Sequence, residues 1–598
     1  MDGQQKQQPT PQLNIVWEGS QFVTHSLALI NREHCSNIID SGVANLAIVP
    51  FEPDTFLPEG NAKFEKLWAH DVRNGELNMD DKPFVWIRHQ YPLKSEIPHG
   101  AKWIINQPWE FSELRKDWVE TMNQADEVWT PSNFCRDVFV RSGVTANKVQ
   151  VIPNGIDPAI FTPEGNIPAL PTKKRLKFLF VGGTIFRKGI DVLLDAYVRT
   201  FSASDDVTLI IKDMGGNSFY KGQTAEQLIE NIRKNPNAPE ILYTDATLTE
   251  QQMAELYRAC DVFVSPYRGE GFSLPTLEAM ACGLPVIVTN GGATDDFVDE
   301  TVGWTIPAGE RFIGSVIDGK ELTGSAYMLE PDGEVLASTL DYVANNPQER
   351  VAKGIAAAHR ARTEWTWKHA TLKALTRLDV LYGTTMAIEA EEQLLTNEDD
   401  IFTNFSYAEM YHAAGRIDEA IEYYHRSFVC GHLPTKYMML ALHRMASFCL
   451  LEEDLELCAE YLEKAKSISP DHSDTLYVYS VMKAMEGRWF EALETLTVLL
   501  NKWEQARYET MLNITLDMLL CDSARALMNT GAIEEARELY TKALEFNPNN
   551  PDACYGAALC FKGVGAVVEA KTMLEWAIRL RPDFSSALED FEAEVAHA

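Results

Sequence analysis

A repeat with a period of 34 residues near the carboxyl end of the chain restricts the fold more than any other sequence feature. One unit and its copy carry glycine, alanine and proline at four matching positions, which are Gly531, Ala536, Ala543, Pro548 and Gly565, Ala570, Ala577, Pro582. Small residues let two helices approach closely, glycine suits the turn between them, and proline ends the second helix. Each unit therefore predicts a helical hairpin that buries its apolar face by stacking on its neighbours.

Looser copies of this unit extend the series toward the amino end of the chain. Their alanine positions are Ala420, Cys458 and Ala492, at spacings that require insertions. Five units account for residues 401–584 and resemble the tetratricopeptide repeat. The resemblance predicts an all-α solenoid over residues 386–598, closed by a capping helix at Ser585–Val595.

In the tetratricopeptide arrangement the first helix of each hairpin lines the concave surface of the solenoid. Mapping the repeat frame onto that surface selects Tyr477, Arg525 and Tyr555. Two aromatic rings and a cation in one groove provide anchor contacts in an acidic domain, so we expect these residues to bind an acceptor. The alternative is that each side chain only packs or faces solvent.

Short apolar runs alternate with helical patterns over residues 13–384, which predicts parallel sheets with helices on both faces. The pattern restarts after the proline-containing stretch Asn166–Lys174 and so indicates two Rossmann-like, doubly wound domains. The predicted segments are a flexible tail at 1–12, an N-terminal domain at 13–165, its closing helix at 364–384, and a C-terminal domain at 166–363. Ligands of such folds bind outside the carboxyl ends of the strands.

The segment Ala259–Gly292 combines a strand, a loop, a helix start and a second strand, and it carries two acidic residues eight positions apart. Glu270 lies in the loop and Glu278 in the first turns of the helix. Free amides at a helix N-terminus favour phosphate oxygens, while carboxylates accept hydrogen bonds from hydroxyl groups. The pair is therefore suited to hold a nucleotide sugar from two sides.

The sequence EGFSLPTLEAMACGLPVI in this segment closely resembles the hallmark motif of the family 4 glycosyltransferases with the GT-B fold. It departs only by Ser273, where the family has glycine. The resemblance implies that Glu278 binds the ribose and Glu270 the transferred sugar. It also implies that the loop backbone contacts the phosphates and the sugar, through Gly271, Phe272, Ser273 and Leu274. The alternative is two solvated loop acids.

The segment Val181–Tyr197 resembles the phosphate-binding loop of the same family. The resemblance implies that Gly182 and Gly183 form the loop and that Lys188 meets the diphosphate of the donor. The family commonly has an arginine at the position of Gly183, and we expect Arg187 to replace it. A solvated charge pair at a helix start is the alternative for both cations.

The N-terminal domain is expected to complete the site from the acceptor side. The resemblance places a glycine loop against the donor, which selects Gly19 in WEGSQF. His89, at the end of a predicted strand, is a candidate to reach the sugar, and a core or surface histidine is the alternative. The same resemblance implies that Tyr243 to Leu248, in the C-terminal domain, contact the nucleobase through their backbone.

No Asp-x-Asp metal signature occurs in the sequence, so we expect neither a metal nor another cofactor in the reaction, with the nucleotide sugar as substrate. The family resemblance implies retention of anomeric configuration without a protein nucleophile. A formal charge of −34 argues against nucleic acid or anionic lipid as a partner. Because no apolar run reaches the roughly 18 residues of a membrane span and no signal peptide is present, we expect a cytoplasmic protein.

These observations favour a glycosyltransferase whose repeat domain recruits the acceptor, and a protein acceptor is preferred because solenoid grooves suit peptides. An enzyme of cell-surface polysaccharide or glycolipid assembly is the alternative. A protein of another class, a noncatalytic repeat scaffold that keeps the GT-B fold, is the third hypothesis.

Overall fold

The computed structural model describes residues 10–74, 82–214, 225–395, 401–429, 433–512, 514–586 and 588. Two compact units divide the chain, the first with residues 1–342 and 352–399 and the second with residues 343–351 and 400–598. Within the described ranges, no helix is both long and apolar enough to cross a membrane.

A parallel sheet covered by helices forms the N-terminal domain of the first unit. Its elements are β1 (Leu13–Glu18), α1 (Ser26–Ser41), β2 (Ala44–Val49), α2 (Ala62–Ala69), β3 (Phe84–Arg88), β4 (Lys102–Asn106), α3 (Lys116–Gln124), β5 (Glu127–Thr130), α4 (Asn133–Arg141) and β6 (Val149–Val151). The six strands lie in the order β2-β1-β3-β4-β5-β6, and each pair is parallel. The continuous burial of β1 and β5 fits a sheet that is covered on both faces.

A second parallel sheet of six strands forms the C-terminal domain of the same unit. Its elements are β7 (Leu176–Gly182), α5 (Ile190–Thr200), β8 (Val207–Asp213), α6 (Glu226–Arg233), β9 (Glu240–Thr244), α7 (Glu250–Arg258), β10 (Val262–Ser265), α8 (Leu274–Ala281), β11 (Val286–Thr289) and β12 (Gly303–Ile306). The order β12-β11-β10-β7-β8-β9 reverses between β10 and β7. The loops after these two strands therefore lie side by side at the carboxyl edge of the sheet. The predicted pair of Rossmann-like domains is confirmed.

A β-hairpin that the sequence does not predict follows β12. It consists of β13 (Ala308–Ile317) and β14 (Lys320–Pro331), paired antiparallel. Leu322 and Ala326 of β14 are buried in an apolar cluster with Trp103 and Trp118 of the N-terminal domain. The hairpin therefore leaves the C-terminal domain and packs on the other one.

Four helices follow the hairpin: α9 (Gly333–Asn345), α10 (Pro347–Glu364), α11 (Trp367–Tyr382) and α12 (Met386–Leu394). The chain returns to the N-terminal domain where Thr366 pairs with Ile156. Leu375 and Leu378 of α11 lie in the core of the first sheet, as expected for a closing helix.

Both predicted ends of the α/β region differ from the structure. The repeat domain was expected to start at 386, but Met386, Ala390 and Leu394 of α12 are buried in the core of the first sheet and hold this helix in the first unit. Residues 1–9 of the predicted tail lie outside the described residues. Gln12 is part of the fold because its backbone N–H donates to Val43 O at 2.7 Å.

The second unit is a series of helical hairpins. Its helices are α13 (Ile401–Ala413), α14 (Ile417–Val429), α15 (Thr435–Leu451), α16 (Leu455–Ile468), α17 (Ser473–Met485), α18 (Trp489–Asn501), α19 (Trp503–Ala506), α20 (Leu516–Asn529), α21 (Ile533–Phe546), α22 (Pro551–Gly563) and α23 (Val567–Leu580). The five alanine positions of the repeat are fully buried in this unit: Ala420, Cys458, Ala492, Ala536 and Ala570. The all-α repeat prediction is confirmed. The predicted capping helix lies outside the described residues except at Ser585, Ser586 and Leu588.

The turns within the hairpins explain the repeated glycine. Gly531 and Gly565 have φ of 91° and 80°, in the left-handed region that glycine enters without steric cost. The unit that lacks the glycine places Glu453 there instead, with φ of 58°. The turn geometry is therefore kept even where the sequence signal is lost.

Candidate donor-binding site

The candidate site lies where the loops after β7 and β10 meet, residues 183–189 and 266–273. A Cβ on Gly189, which has φ of 71°, would lie 1.8 Å from Pro266 O, so only glycine fits between the loops. Arg268 N donates to Arg187 O at 2.7 Å. The two loops that carry the sequence-predicted residues are therefore in direct contact.

Lys188 and Glu270 form an ion pair across these loops. The side chains are only 16% and 8% exposed, so the pair is held in a place of reduced dielectric. Burial lowers the pKa of Lys188, while the nearby Glu270 opposes this effect. The structure thus brings together the two residues that the sequence assigned to the diphosphate and the sugar.

Arg187 reaches the same carboxylate from the other side of the loop. Its Nη1 donates to Gly269 O at 2.6 Å and lies 3.7 Å from Glu270 Oε2. Its Nη2 is 3.6 Å from Glu110 Oε1 of the N-terminal domain. Two cations and two carboxylates therefore converge at the carboxyl edge of the second sheet.

Glu278 occupies a different environment on α8. Its Oε2 accepts a hydrogen bond from Tyr257 Oη at 2.9 Å, a partner that the motif does not reveal. Burial raises the pKa of Glu278 to about 7, and the nearby Glu250 acts in the same direction. Near neutral pH this carboxyl group is therefore balanced between its charged and neutral forms.

The start of α8 accommodates the one departure from the motif that the sequence resembles. Ser273 has φ of 74°, a left-handed conformation in which glycine is the ordinary residue. Its Oγ lies 2.8 Å from Thr276 Oγ1, which satisfies the hydroxyl group. Phe272 and Leu274 are buried in the core of the domain, so they reach a ligand only through their backbone.

The glycines on either side of Glu270 allow the two domains of the first unit to touch. A Cβ on Gly269 would lie 2.3 Å from Glu110 O, and one on Gly271 would lie 3.0 Å from Pro108 Cβ. Ser132 Oγ donates to Gly271 O at 2.8 Å. The loop that bears Glu270 is therefore fixed by both domains.

His89 is buried beside Gly19 in the N-terminal domain. Asn31 Nδ2 donates to Ser20 O at 2.9 Å, which turns Asn31 Oδ1 toward His89 Nδ1 at 2.7 Å. Burial lowers the pKa of His89 to about 3, so the ring is neutral. Because Nδ1 carries the proton and donates to Asn31 Oδ1, the lone pair of the neutral ring lies on Nε2. A Cβ on Gly19 would lie 2.5 Å from His89 O, so this glycine allows the loop to close on the histidine.

The remaining predicted donor residues lie around the phosphate loop. Gly182 ends β7 and Gly183 starts the loop. Tyr243, at the end of β9, donates from its hydroxyl to Asp213 Oδ2 at 2.8 Å, and Leu248 packs against the core. These side chains are occupied within the protein, which leaves only the predicted backbone contacts to a base.

Arg268 is a functional candidate that the sequence did not indicate. It donates to Asp191 at 2.7 Å, to Glu330 at 2.7 Å and to Phe186 O at 2.8 Å. Its guanidinium group also lies 3.7 Å from the centre of the Phe186 ring. Arg268 therefore joins the loop after β10 to the phosphate loop and to the hairpin. The available signal was an arginine two positions before the motif, but its partner Glu330 is 62 residues away along the chain.

The predicted acceptor residues of the second unit do not all meet. Tyr477 and Arg525 line one cavity of about 290 Å³, together with Trp489 and Asp522. Tyr477 Oη donates to Asp522 Oδ2 at 3.0 Å. Tyr555 does not line this cavity. Its ring instead stacks on Phe584, with the ring centres 4.6 Å apart.

The first unit has the two doubly wound domains that the GT-B fold predicts. The family model "Glycosyltransferase Family 4" matches residues 71–160, and "Glycosyl transferases group 1" matches residues 175–318. The "Tetratricopeptide repeat" model matches residues 441–472 and 519–550. Two segments of the first unit therefore resemble glycosyltransferases, and two segments of the second unit resemble tetratricopeptide repeats.

Individual relatives are distant. The MMP alpha-(1->4)-mannosyltransferase of Mycolicibacterium hassiacum is 26% identical over 225 residues, 35% of this chain and 50% of that protein. A GDP-mannose-dependent monoacylated alpha-(1-6)-phosphatidylinositol monomannoside mannosyltransferase of Corynebacterium glutamicum is 27% identical, over 36% of this chain and 52% of that protein. The chain thus spans about half the length of the curated relatives it matches. Sucrose-phosphate synthase from Thermosynechococcus elongatus has a TM-score of 0.45 and 16% identity, over 62% of this chain and 100% of that one.

Proposed function

We propose that this protein is a retaining glycosyltransferase that moves a hexose from a nucleotide-sugar donor to an acceptor. The observation that carries the proposal is the convergence of Lys188 and Arg187 on Glu270 at the strand reversal of the second sheet. Doubly wound folds bind nucleotides at this place. Cations fixed there before the reaction suit a step in which negative charge develops on a leaving diphosphate.

Each residue has a defined task in the proposed reaction. Lys188 and Arg187 stabilise the charge of the leaving diphosphate, Glu270 exchanges part of its ion pairing for the hydroxyl groups of the sugar, and Glu278 accepts from the ribose. The neutral Nε2 of His89 accepts from a sugar hydroxyl on the opposite side. The stereochemistry rests on the family resemblance, and with these charges in place the proposed reaction needs neither a metal ion nor a protein nucleophile.

A donor screen tests this proposal directly. Full-length protein is incubated with GDP-mannose or UDP-glucose, and release of the nucleoside diphosphate is measured with and without chelator. We expect release from one donor, insensitivity to chelator, and at least a tenfold loss in Lys188→Met. The matched control is Lys373→Met, since Lys373 is exposed on α11. If no nucleoside diphosphate is released from these two donors or from a wider donor panel, the noncatalytic-scaffold hypothesis replaces the enzyme hypothesis.

A protein acceptor, recruited by the second unit, is part of the proposal. Its support is the cavity in which Tyr477 and Arg525 lie beside Asp522 and Trp489, a set with both apolar and charged contacts for a peptide. The alternative acceptor is a glycan or glycolipid, which the lipid substrate in the name of the Corynebacterium relative favours. Labelled donor and a fractionated cell extract separate the two, because label enters either the protein fraction or the lipid fraction.

A further inference from the structure

Two histidines and an aspartate form a polar cluster inside the second unit, away from the cavity. His443 lies on α15, His472 caps the start of α17, and Asp474 lies in the first turn of α17. One ligand atom from each of the three lies within 4.8 Å of the others. His443 and Asp474 are fully buried, so water does not compensate their polar atoms.

His443 leaves one ring nitrogen without a hydrogen-bond partner. Its Nε2 lies 2.8 Å from Thr475 Oγ1, while its Nδ1 is buried and bonds to no atom of the described residues. When Nε2 carries the proton and donates to Thr475, Nδ1 holds a lone pair. This arrangement, with an outer partner on the second nitrogen, is the one usual for metal-bound histidine.

A carboxylate oxygen faces that nitrogen. Asp474 Oδ2 is 3.8 Å from His443 Nδ1, too far for a hydrogen bond. The carboxylate is fixed by Met511 N at 2.7 Å and by Thr510 Oγ1, so it cannot turn away. With the proton of His443 on Nε2, a nitrogen lone pair and an oxygen lone pair face each other in a buried place, and a shared cation would satisfy both.

We propose that His443, His472 and Asp474 bind one divalent transition-metal ion, with zinc as the best fit. Zinc binds imidazole nitrogen and carboxylate oxygen at about 2.0–2.2 Å, which puts two ligands of a tetrahedral site roughly 3.4 Å apart. The observed 3.8 Å needs only a small contraction. Calcium and magnesium prefer oxygen ligands, so a set with two imidazoles selects against them. Water completes the coordination.

The ion has a structural task. It connects α15, the start of α17 and the segment at residues 510–512 that bonds to Asp474. This segment belongs to the long insertion between the repeats of Ala492 and Ala536. None of the proposed donor-site residues is among its ligands, so the proposed transfer reaction assigns no step to the ion.

The test uses full-length, tag-free protein that is stripped with chelator, dialysed against zinc and analysed for metal by mass spectrometry. We expect about one zinc per chain, less than a tenth of that in His443→Gln and Asp474→Asn, and a zinc-dependent rise in Tm for the wild type only. His412→Gln is the matched control, a histidine on α13 outside the cluster. Cobalt substitution should give visible d–d absorption that His443→Gln lacks.

Two outcomes would overturn the inference: wild-type protein without zinc after dialysis, or equal zinc in the wild type and in both cluster variants. If a variant unfolds by circular dichroism, His472→Ala, which removes a ligand nearer the surface, repeats the measurement. No sugar donor is present, so the result is independent of the glycosyltransferase proposal.

Discussion

The donor-binding loops and the repeat cavity both combine cations, carboxylates and aromatic rings, but they hold their charges differently. Lys188 and Glu270 are almost enclosed, whereas the Arg525 side chain is 49% exposed and lies 3.4 Å from Asp522. An enclosed pair interacts strongly, while an exposed pair contributes about 0–1 kcal/mol. The donor side is therefore rigid before its ligand arrives, and the cavity gains affinity from many small contacts. Substitutions should therefore reduce activity strongly in the donor-binding loops and weakly in the repeat cavity.

The largest effect is expected for Glu270→Gln. Loss of the carboxylate removes both the sugar contact and the partner of two cations, so nucleoside diphosphate release should fall at least about a hundredfold, roughly 2.7 kcal/mol. Tm should also fall, because Lys188 loses its buried partner. Steady-state kinetics and thermal melts measure the two effects. Glu310→Gln, an exposed acid of the hairpin, is the control. Near wild-type turnover in Glu270→Gln would remove the donor-site assignment.

Glu278 should make the stability of the donor region depend on pH. Because the folded pKa is raised to about 7, the folded state binds more protons than the unfolded one between about pH 4.5 and 7, and stability falls as pH rises through this window. The loss is up to about 3 kcal/mol, at 1.36 kcal/mol per pKa unit. Urea unfolding at several pH values measures it. Glu278→Gln should flatten the profile, and an unchanged profile would contradict the assignment.

Arg268→Lys should lower kcat about tenfold with a smaller change in the donor KM. Lysine keeps the charge but loses the two-pronged contacts to Asp191 and Glu330, so the loop that carries Lys188 is less well positioned. Arg311→Lys is a close control, since Arg311 contacts the same Glu330 and Phe186 but is 53% exposed. Equal kinetics for the two variants would show that Arg268 does not position the loop.

The smallest effect is expected in the cavity. The double change Tyr477→Ala and Arg525→Ala should raise the KM for a protein acceptor a few-fold, about 1 kcal/mol, and leave donor hydrolysis unchanged. Tyr555→Ala is the control, because Tyr555 stacks on Phe584 outside the cavity lining. A loss of donor hydrolysis in the double variant would contradict the division of tasks between the units.

Residues in local motifs were predictable from the sequence, whereas residues joined by distant contacts were not. Glu270, Glu278 and Lys188 belong to short motifs, and the repeat period located the buried alanine positions. Arg268 was missed because its partners Asp191 and Glu330 lie on other elements. Tyr257 precedes the motif by a strand and a loop, so nothing local linked it to Glu278.

The predicted domain boundary at residue 386 was wrong for a related reason. The acidic composition near 386–400 suggested a domain boundary, but composition does not reveal which helix buries its apolar face. Helix α12 buries its apolar side chains, Met386, Ala390 and Leu394, in the core of the first sheet. The hairpin was missed because β13 is mostly exposed along its length and shows no apolar alternation.

The hairpin also limits the hinge motions open to the first unit. Leu322 is 2% exposed in a core that the other domain provides, so pulling the domains straight apart would bring it into water at about 1.5–3 kcal/mol. A rotation about an axis through the hairpin leaves that contact intact. The two domains of the first unit should therefore separate by rotation about β14, and the parts far from Leu322 should move more than the parts next to it.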